Sequence, residues 1–236
     1  MNGEVDDPFP VEDCLFEETF SSDSVYNLSG HKLRIKQVFG ANLGVAAPVW
    51  EAAIQLSNYL VERSVELKGR RVIELGAGTG LLGIFAARLG QLSSIMSCFY
   101  KLYIFLPGAV VTLTDLPIAL PPLQANVSAN TPPGGWSTAP TVLPLSWGKD
   151  HLTFPADWDL VLGADLIYLP ETFPLLVETL AHLCHSGTVV FFCSKMRREH
   201  KTQEFYEQYL PTRFKVELVK SDERQNINIY EVTLQT

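Results

Sequence analysis

The sequence predicts an α/β fold in which helices cover both faces of a mostly parallel β-sheet. From residue 71 onwards, short apolar segments alternate with longer segments of helical periodicity, as in parallel sheets with crossover helices. Residues 159–164, DLVLGA, form an apolar run typical of a strand that is buried on both faces. The chain ends in two alternating segments around the charged residues 221–225, so the last strand should be antiparallel to its neighbour.

The length and composition fit one domain of this class. The chain has 236 residues, of which 47% are hydrophobic, and α/β folds of this length often form one unit. Residues 1–24 are acidic and contain no Lys or Arg, so we predict a flexible N-terminal arm there. The domain should then span residues 25–236.

The first elements of this domain are predicted to be a β-hairpin and a helix. Residues 25–28 and 32–39 alternate around Ser29-Gly30, a pair typical of a tight turn. Apolar residues in the segment 49–61 recur at the spacing of an amphipathic helix.

Strands and helices then alternate to the end of the chain. The predicted strands span residues 71–75, 110–114, 141–145, 158–164, 188–194, 214–220 and 226–234. The predicted helices span residues 81–89, 117–130, 171–183 and 199–210. Because proline cannot donate a backbone hydrogen bond, Pro121-Pro122 should break or bend the middle of the second of these helices.

The composition argues against several functional classes. A formal net charge of −8 disfavours broad electrostatic binding of nucleic acid. No apolar run reaches the roughly 18 residues of a spanning helix, and the acidic N-terminus does not resemble a targeting peptide. We therefore expect a cytoplasmic monomer without direct nucleic-acid or membrane contact. No metal-ligand spacing links the histidines with Cys14, Cys98, Cys184 and Cys193, so we expect no metal site. We expect these cysteines to be buried free thiols.

A glycine-rich loop follows the first strand of the predicted sheet. Gly76, Gly78 and Gly80 lie between a strand and a helix, at the strand end where ligands bind in parallel sheets. Glycines permit a tight turn and let a ligand lie against the backbone. The spacing G-x-G-x-G differs from the G-x-G-x-x-G of dinucleotide sites, and no GK[ST] follows. The loop favours a nucleoside ligand without a bound phosphate.

Two acids and a tryptophan accompany the loop. Glu74 precedes it by two residues and would repel phosphate but attract a cation. Asp115, at the end of TLTD, can accept both hydroxyls of a ribose, and Trp147, in LSWG, could stack on adenine. S-adenosylmethionine carries an ammonium and a sulfonium but no phosphate, so this pattern favours it. The competing interpretation is a tight turn with surface acids and, for Trp147, a place in the core.

An unusual segment separates the loop from Asp115. Asp115 follows Gly76 by 39 positions, whereas about 20 are usual. Residues 91–107 are apolar and aromatic with Lys101 as their only charge, and without them and one adjacent glycine the separation would be 21. Our hypothesis is an insertion at 91–107, through alternative splicing or a gene-model error. An amphipathic docking or membrane-surface element is the alternative.

Several stretches carry a resemblance to a known family. They read LGVAAPVWEAA, VIELGAGTGLLGI, VTLTDLP, LSWG and DLVLGADLIYLPETF. Together they resemble the seven-strand protein-lysine methyltransferases of eukaryotes, and SKMRREH and NINIYEV are similar to the branch that modifies translation elongation factor 1-alpha. The heat-shock-protein-70 lysine methyltransferases are close relatives. The resemblance covers residues 30–232 apart from 91–107, and it implies a Rossmann-like seven-stranded sheet, S-adenosylmethionine and a protein substrate.

The resemblance also implies roles for single residues. Gly76, Ala77 and Gly78 would line the cofactor and Asp115 its ribose. Trp147 and Ala164 would surround the adenine. Trp50, which sequence alone places in the core, would contact the methionine end.

Asp165 and Tyr168 match the Asp-x-x-Tyr motif of this family. The resemblance implies that both belong to the catalytic site. Methyl transfer needs an uncharged lysine amine, although free lysine has a pKa of about 10.4. A sulfonium and an apolar channel both disfavour the ammonium form. Asp165 would orient the amine and Tyr168 would form a wall of the channel.

Two alternatives remain open at this point. The same cofactor could serve another acceptor, such as a chaperone or a small molecule. A second possibility is an inactive variant that the 91–107 segment disables. The chain reads GADLIYLP where base-amino methyltransferases have an Asn-Pro-Pro-Tyr motif, which disfavours a nucleic-acid substrate.

A cluster of basic residues follows the predicted strand 188–194; it comprises Lys195, Arg197, Arg198, His200 and Lys201. We interpret this basic cluster as a solvated helix start, with substrate docking as the alternative.

Overall fold

The structure is a computed structural model that describes residues 20–40, 43–92 and 108–235, with only the backbone described at 91 and 92. A separate hairpin comprises β1 (Phe20–Leu28) and β2 (His31–Phe39). The strands of the main sheet are β3 (Arg71–Leu75), β4 (Val110–Asp115), β5 (Thr141–Pro144), β6 (Leu160–Ala164), β7 (Val189–Lys195), β8 (Phe214–Asp222) and β9 (Ile227–Leu234).

The main sheet has seven strands in the order β5-β4-β3-β6-β7-β9-β8. The strands from β3 to β7 pair in parallel, and β9 is antiparallel to both of its neighbours. The predicted fold class, a Rossmann-like sheet with an antiparallel last strand and an N-terminal hairpin, is confirmed.

Helices cover both faces of this sheet. They are α1 (Glu51–Glu62), α2 (Leu81–Leu92), α3 (Leu120–Ala129), α4 (Phe173–Leu183) and the short α5 (Thr202–Glu204). Successive side chains of β3 pack on opposite faces of the sheet: Val72 packs with α1 and α2, and Ile73 packs with α4. This period of two is the reason that successive strand residues supply two separate cores.

Two asparagines, Asn126 in helix α3 and Asn130 at its C-terminal cap, hold the hairpin against the rest of the domain. Asn130 Oδ1 accepts the Arg34 N–H (2.9 Å) and its Nδ2 donates to the Arg34 carbonyl (2.7 Å). Asn126 makes the same pair of bonds with Lys36, at 2.9 and 3.0 Å. Its Nδ2 also lies 2.9 Å from the carbonyl of Thr79 in the glycine loop. The two side-chain amides bond to backbone groups of β2 as a further strand would.

Several boundaries differ from the prediction, among them the start of the hairpin and the start of the helix after β7. Strand β1 begins at Phe20, so residues 20–24 belong to the hairpin and not to the arm; residues 1–19 lie outside the described part. The predicted helix 199–210 begins only at Thr202. It soon widens into a π-helical turn (Phe205–Tyr209), which a short 3₁₀ turn (Leu210–Thr212) follows.

The prediction that Pro121-Pro122 break the middle of a helix is wrong. A 3₁₀ turn (Pro117–Ala119) leads into α3, which begins at Leu120, so both prolines lie in the first turn of the α-helix. The backbone N–H groups of a first turn have no partner within the helix, and their loss there costs little.

Most of the predicted insertion, residues 93–107, lies outside the described part of the chain. The described ends on either side of it are in contact. A Cβ atom added at Gly90 would lie 2.8 Å from the backbone nitrogen of Ala109. The chain therefore enters β4 beside the point where it leaves α2. Within the described residues, every helix is too short or too polar to cross a bilayer.

Candidate active site

A cavity of about 350 Å³ opens at the carboxyl ends of the parallel strands. All ten predicted site residues line it: Trp50, Glu74, Gly76, Ala77, Gly78, Asp115, Trp147, Ala164, Asp165 and Tyr168. Arg197 and His200, from the segment after β7, line it as well. The structure brings the predicted set together, and the role of each residue remains a prediction.

The glycine loop forms one wall of the cavity and leaves little room for a side chain at its start. Gly76 has a φ of +55°, and a Cβ atom there would lie 2.5 Å from Cδ2 of Leu166. Trp147, only 6% exposed, lies next to the same position. The backbone of Gly76 therefore fits between two apolar side chains.

Asp115 at the end of β4 organises the loop and retains free acceptor capacity. Its Oδ2 accepts the Gly78 N–H and its Oδ1 accepts the Leu116 N–H, both at 2.7 Å. Burial raises the pKa of this carboxyl, and the two hydrogen bonds oppose that rise. Each carboxylate oxygen can accept more than one hydrogen bond, so the side chain can also receive a ligand diol.

Glu74 is buried and belongs to both the cavity and helix α2. Its Oε2 accepts the N–H of Gly83, in the first turn of α2, at 2.8 Å, so the side chain caps the helix. Burial raises the pKa of Glu74 to about 8. In the absence of a cation the carboxyl is mostly protonated at pH 7, a state that the sequence pattern alone does not indicate.

Asp165 forms an ion pair with Arg197 that the sequence analysis missed. The Arg197 Nη1 and Nη2 atoms donate to Oδ1 and Oδ2 of Asp165 at 2.9 and 3.0 Å. The Lys195 N–H also donates to Oδ1, at 3.1 Å. The Arg197 Cζ atom lies 5.6 Å from the ring centroid of Trp50, within range of a cation–π contact.

The interpretation of the basic cluster as a helix start is wrong, because Lys195 ends β7 and α5 begins only at Thr202. Lys195, Arg198 and Lys201 are exposed, as a solvated cluster requires, whereas Arg197 and His200 line the cavity. Arg197 follows the end of β7 by two residues, and side chains at this edge of a parallel sheet commonly face ligands. That position was the available signal.

Tyr168 is a partly buried phenol that also lines the cavity. Burial, and secondarily the charge of Asp115, raise its pKa to about 12. The side chain is thus neutral at physiological pH, as the predicted channel wall requires.

The comparisons with known proteins identify the family. The model of the family described as lysine methyltransferase matches residues 27–210, more than half of the chain. This chain belongs to the lysine methyltransferase family. The resemblance found in its motifs is confirmed. The predicted enzyme class, with S-adenosylmethionine as methyl donor, is confirmed at the level of the family.

Curated relatives of this lysine methyltransferase match over nearly its whole length. "EEF1A lysine methyltransferase 3" of Xenopus tropicalis is 48% identical, covering 93% of this chain and 88% of the relative. The protein of the same name from Mus musculus is 47% identical, covering 94% and 87%. "Protein N-lysine methyltransferase METTL21A" of Danio rerio is 42% identical, covering 89% and 86%.

Solved structures support the fold of this lysine methyltransferase. The 16S rRNA N2 G1207 methyltransferase (RsmC) of T. thermophilus, in complex with AdoMet and guanosine, aligns with a TM-score of 0.64 and 19% identity. The alignment covers 91% of this chain and 51% of that chain. A TehB-like SAM-dependent methyltransferase from Corynebacterium glutamicum aligns with a TM-score of 0.55 and 12% identity, covering 80% and 89%. At these identities the likeness concerns the fold alone.

The described part of this lysine methyltransferase contains no group of three side chains suited to hold a metal ion. Cys184 and Cys193 are buried free thiols, as predicted, and burial raises the pKa of each. Cys14 and Cys98 lie outside the described residues.

Proposed function

We propose that this chain transfers a methyl group from S-adenosylmethionine to a lysine of translation elongation factor 1-alpha. One observation carries the proposal: a single cavity joins the glycine loop and Asp115 to the Asp165–Tyr168 motif. The substrate rests on the two relatives at 47–48% identity, which are named as EEF1A lysine methyltransferases.

The cavity fits this methyl donor better than a phosphorylated nucleotide. Among its described lining residues only Arg197 and His200 are basic, and the charge of Arg197 is compensated by Asp165. A phosphate would lie beside the carboxyl of Asp115, which disfavours an anion, whereas a bound cation favours the ionised form of Glu74. The donor is a cation, and burial next to carboxyls suits it.

Each lining residue would contact a different part of the methyl donor. Asp115 would accept the ribose hydroxyls while it keeps its bonds to the backbone. Trp147 and Ala164 would enclose the adenine between apolar surfaces. Gly76 and Gly78 would place backbone against the ligand, and Trp50 would lie at its methionine end.

When bound, S-adenosylmethionine supplies an electrophilic methyl carbon attached to a sulfonium. The lone pair of the lysine amine would form the new N–C bond. The C–S bond would break with its electrons left on sulfur, and the methylated ammonium would release its proton to solvent. The protein side chains align the amine with the methyl group, which is the main contribution expected of this site. Tyr168 would confine the amine, and Asp165 would orient it.

Labelled-methyl transfer into purified proteins tests the proposal. The chain should label elongation factor 1-alpha, and mass spectrometry should place each added methyl group on a lysine. Heat-shock protein 70 serves as the parallel acceptor, because the sequence also resembles the lysine methyltransferases that act on this chaperone. Label in the chaperone alone would contradict the substrate, and label in neither protein would contradict the proposed function.

We also propose that the enzyme works in the cytoplasm as a monomer, without direct nucleic-acid contact. Its net charge of −8 supports the last point. Light scattering at working concentration should give the mass of one chain, and a dimer mass would contradict the monomer.

A further inference from the structure

We propose that Arg197 is a positioning residue that compensates the charge of Asp165, so that the acceptor lysine reacts as a neutral amine. This inference rests on the proposed function. It assigns to Arg197 a part in the reaction that neither the motif nor the resemblance indicates.

The sheet itself brings the two residues together. Strand β6 pairs with β7 so that Ala164 lies opposite Cys193, and the N–H of the next residue, Asp165, donates to the Cys193 carbonyl at 2.7 Å. Asp165 has a φ of +59°, an uncommon conformation for a residue other than glycine. Its turn therefore places the carboxylate beside the end of β7 and within reach of Arg197.

The side chain of Thr202 holds the backbone of the segment that carries Arg197. The Thr202 hydroxyl lies 3.3 Å from the Arg197 carbonyl and 3.2 Å from the Ile167 carbonyl. Thr202 is fully buried. The Arg197 side chain is 18% exposed and the Asp165 side chain 4% exposed, so solvent screens their pairing weakly. The guanidinium is thus held at Asp165 before any substrate enters.

This pairing changes what an incoming lysine meets. An unpaired buried carboxylate would favour the ammonium form of the lysine, which has no lone pair for methyl transfer. With Arg197 in a two-point contact, the carboxylate is neutralised yet can still accept one further hydrogen bond from a neutral amine. The guanidinium adds a like charge that disfavours the ammonium form. The positive sulfonium acts in the same direction.

The pH dependence of methyl transfer by the full chain tests the inference. Rates are measured at saturating S-adenosylmethionine and elongation factor 1-alpha for the unchanged chain, Arg197→Gln, Asp165→Asn and Arg198→Gln. Other titratable groups around the cavity are Glu74, Asp115, Tyr168 and His200. They are the same in all four proteins, so a difference between the profiles reports the altered pair.

The inference predicts shifts of opposite sign. Arg197→Gln leaves the carboxylate unpaired, so the kinetic pKa of the acceptor lysine should rise by about one unit, with about a tenfold loss near pH 7 that recovers at higher pH. Asp165→Asn leaves the guanidinium unpaired and should lower the same kinetic pKa, whatever its effect on the maximal rate. Arg198→Gln, on an exposed neighbour, should leave the profile unchanged.

Equal losses at every pH in both variants, without a shift, would overturn the inference. If Arg197→Gln does not fold, the Asp165→Asn profile decides alone, and an unshifted profile overturns the inference. Failure of the unchanged chain to methylate any lysine would overturn the proposed function first and the inference with it.

Discussion

Glu74 connects the ligand cavity to helix α2, and its proton should make both stability and ligand affinity depend on pH. The folded pKa of about 8 exceeds the reference value of 4.5. The folded state then binds more protons than the unfolded state between these values. Glu74 therefore contributes stability that is full below about pH 4.5 and is lost as the pH rises towards 8.

We predict that Glu74→Gln reduces this pH dependence. Chemical denaturation of the ligand-free protein between pH 5 and 8.5 should show a slope smaller by up to about 1.4 kcal/mol per pH unit than that of the unchanged chain. Glu66→Gln, on an exposed acid, is the matched control. Equal slopes for the unchanged chain and Glu74→Gln would contradict the assignment of a raised pKa.

The same proton should govern affinity for the methyl donor. A bound cation favours the ionised form of Glu74, so binding should release a proton below pH 8. We predict that titration calorimetry in buffers of different ionisation enthalpy detects this release in the unchanged chain. Glu74→Gln should release less, and an identical release would show that the proton comes from another group.

Gly76 offers a steric test at the entrance to the loop. Gly76→Ala adds a methyl group 2.5 Å from Leu166 Cδ2, whereas Gly134→Ala, also at positive φ (+87°), has open space around it. Both variants carry backbone strain of about 1 kcal/mol, and only the first carries a clash. We predict that Gly76→Ala weakens donor binding at least about tenfold and lowers Tm more than Gly134→Ala, whose affinity should be unchanged. Calorimetry measures the donor affinity and thermal unfolding measures Tm. Equal effects of the two substitutions would contradict a tightly packed loop.

At the scale of elements, the hairpin depends on α3 for its place on the domain. Asn126 and Asn130 supply hydrogen bonds to β2, and loss of a buried amide leaves partners unsatisfied at about 1–3 kcal/mol each. We predict that Asn126→Ala with Asn130→Ala increases amide hydrogen exchange in residues 20–39, while the strands β3 and β6 keep their protection. Gln124→Ala, on the exposed face of α3, is the matched control. Unchanged exchange in the hairpin would show that other contacts suffice.

Element types were largely predictable from the sequence, whereas the start of a helix was not. The apolar runs and the glycine loop predict β3, β6 and the turn between β3 and α2, because burial on two faces leaves few alternatives. Pro121 and Pro122 misled the prediction because periodicity does not reveal that α3 begins at Leu120 after a 3₁₀ turn.

At the scale of the whole molecule, the cavity lining was predictable but its ion pair was not. Apart from Trp50, which precedes α1, each predicted site residue lies at a strand end or in the loop that follows a strand, and parallel strands gather such positions at one edge. The pairing of Arg197 with Asp165 joins residues 32 positions apart. It follows from the register of β6 against β7, which single-sequence patterns do not fix.

The 91–107 segment can be tested at the same scale. Because Gly90 and Ala109 are already in contact, a chain without residues 91–107 should close with little rearrangement. We predict that this deletion variant folds, binds S-adenosylmethionine with unchanged affinity and unfolds at an equal or higher temperature. Loss of donor binding, measured by calorimetry, would contradict the hypothesis of an insertion into a complete domain.

Calorimetric titration of S-adenosylmethionine into the unchanged chain and Asp115→Asn tests the central claim most directly. Asp115→Asn keeps the size of the side chain but removes the charge that should hold the ribose, and Asp23→Asn, on an exposed acid of the hairpin, is the control. We predict that the unchanged chain and the control bind the donor, and that Asp115→Asn binds it at least about tenfold more weakly. Equal affinity in all three folded proteins would contradict the placement of the donor at the glycine loop.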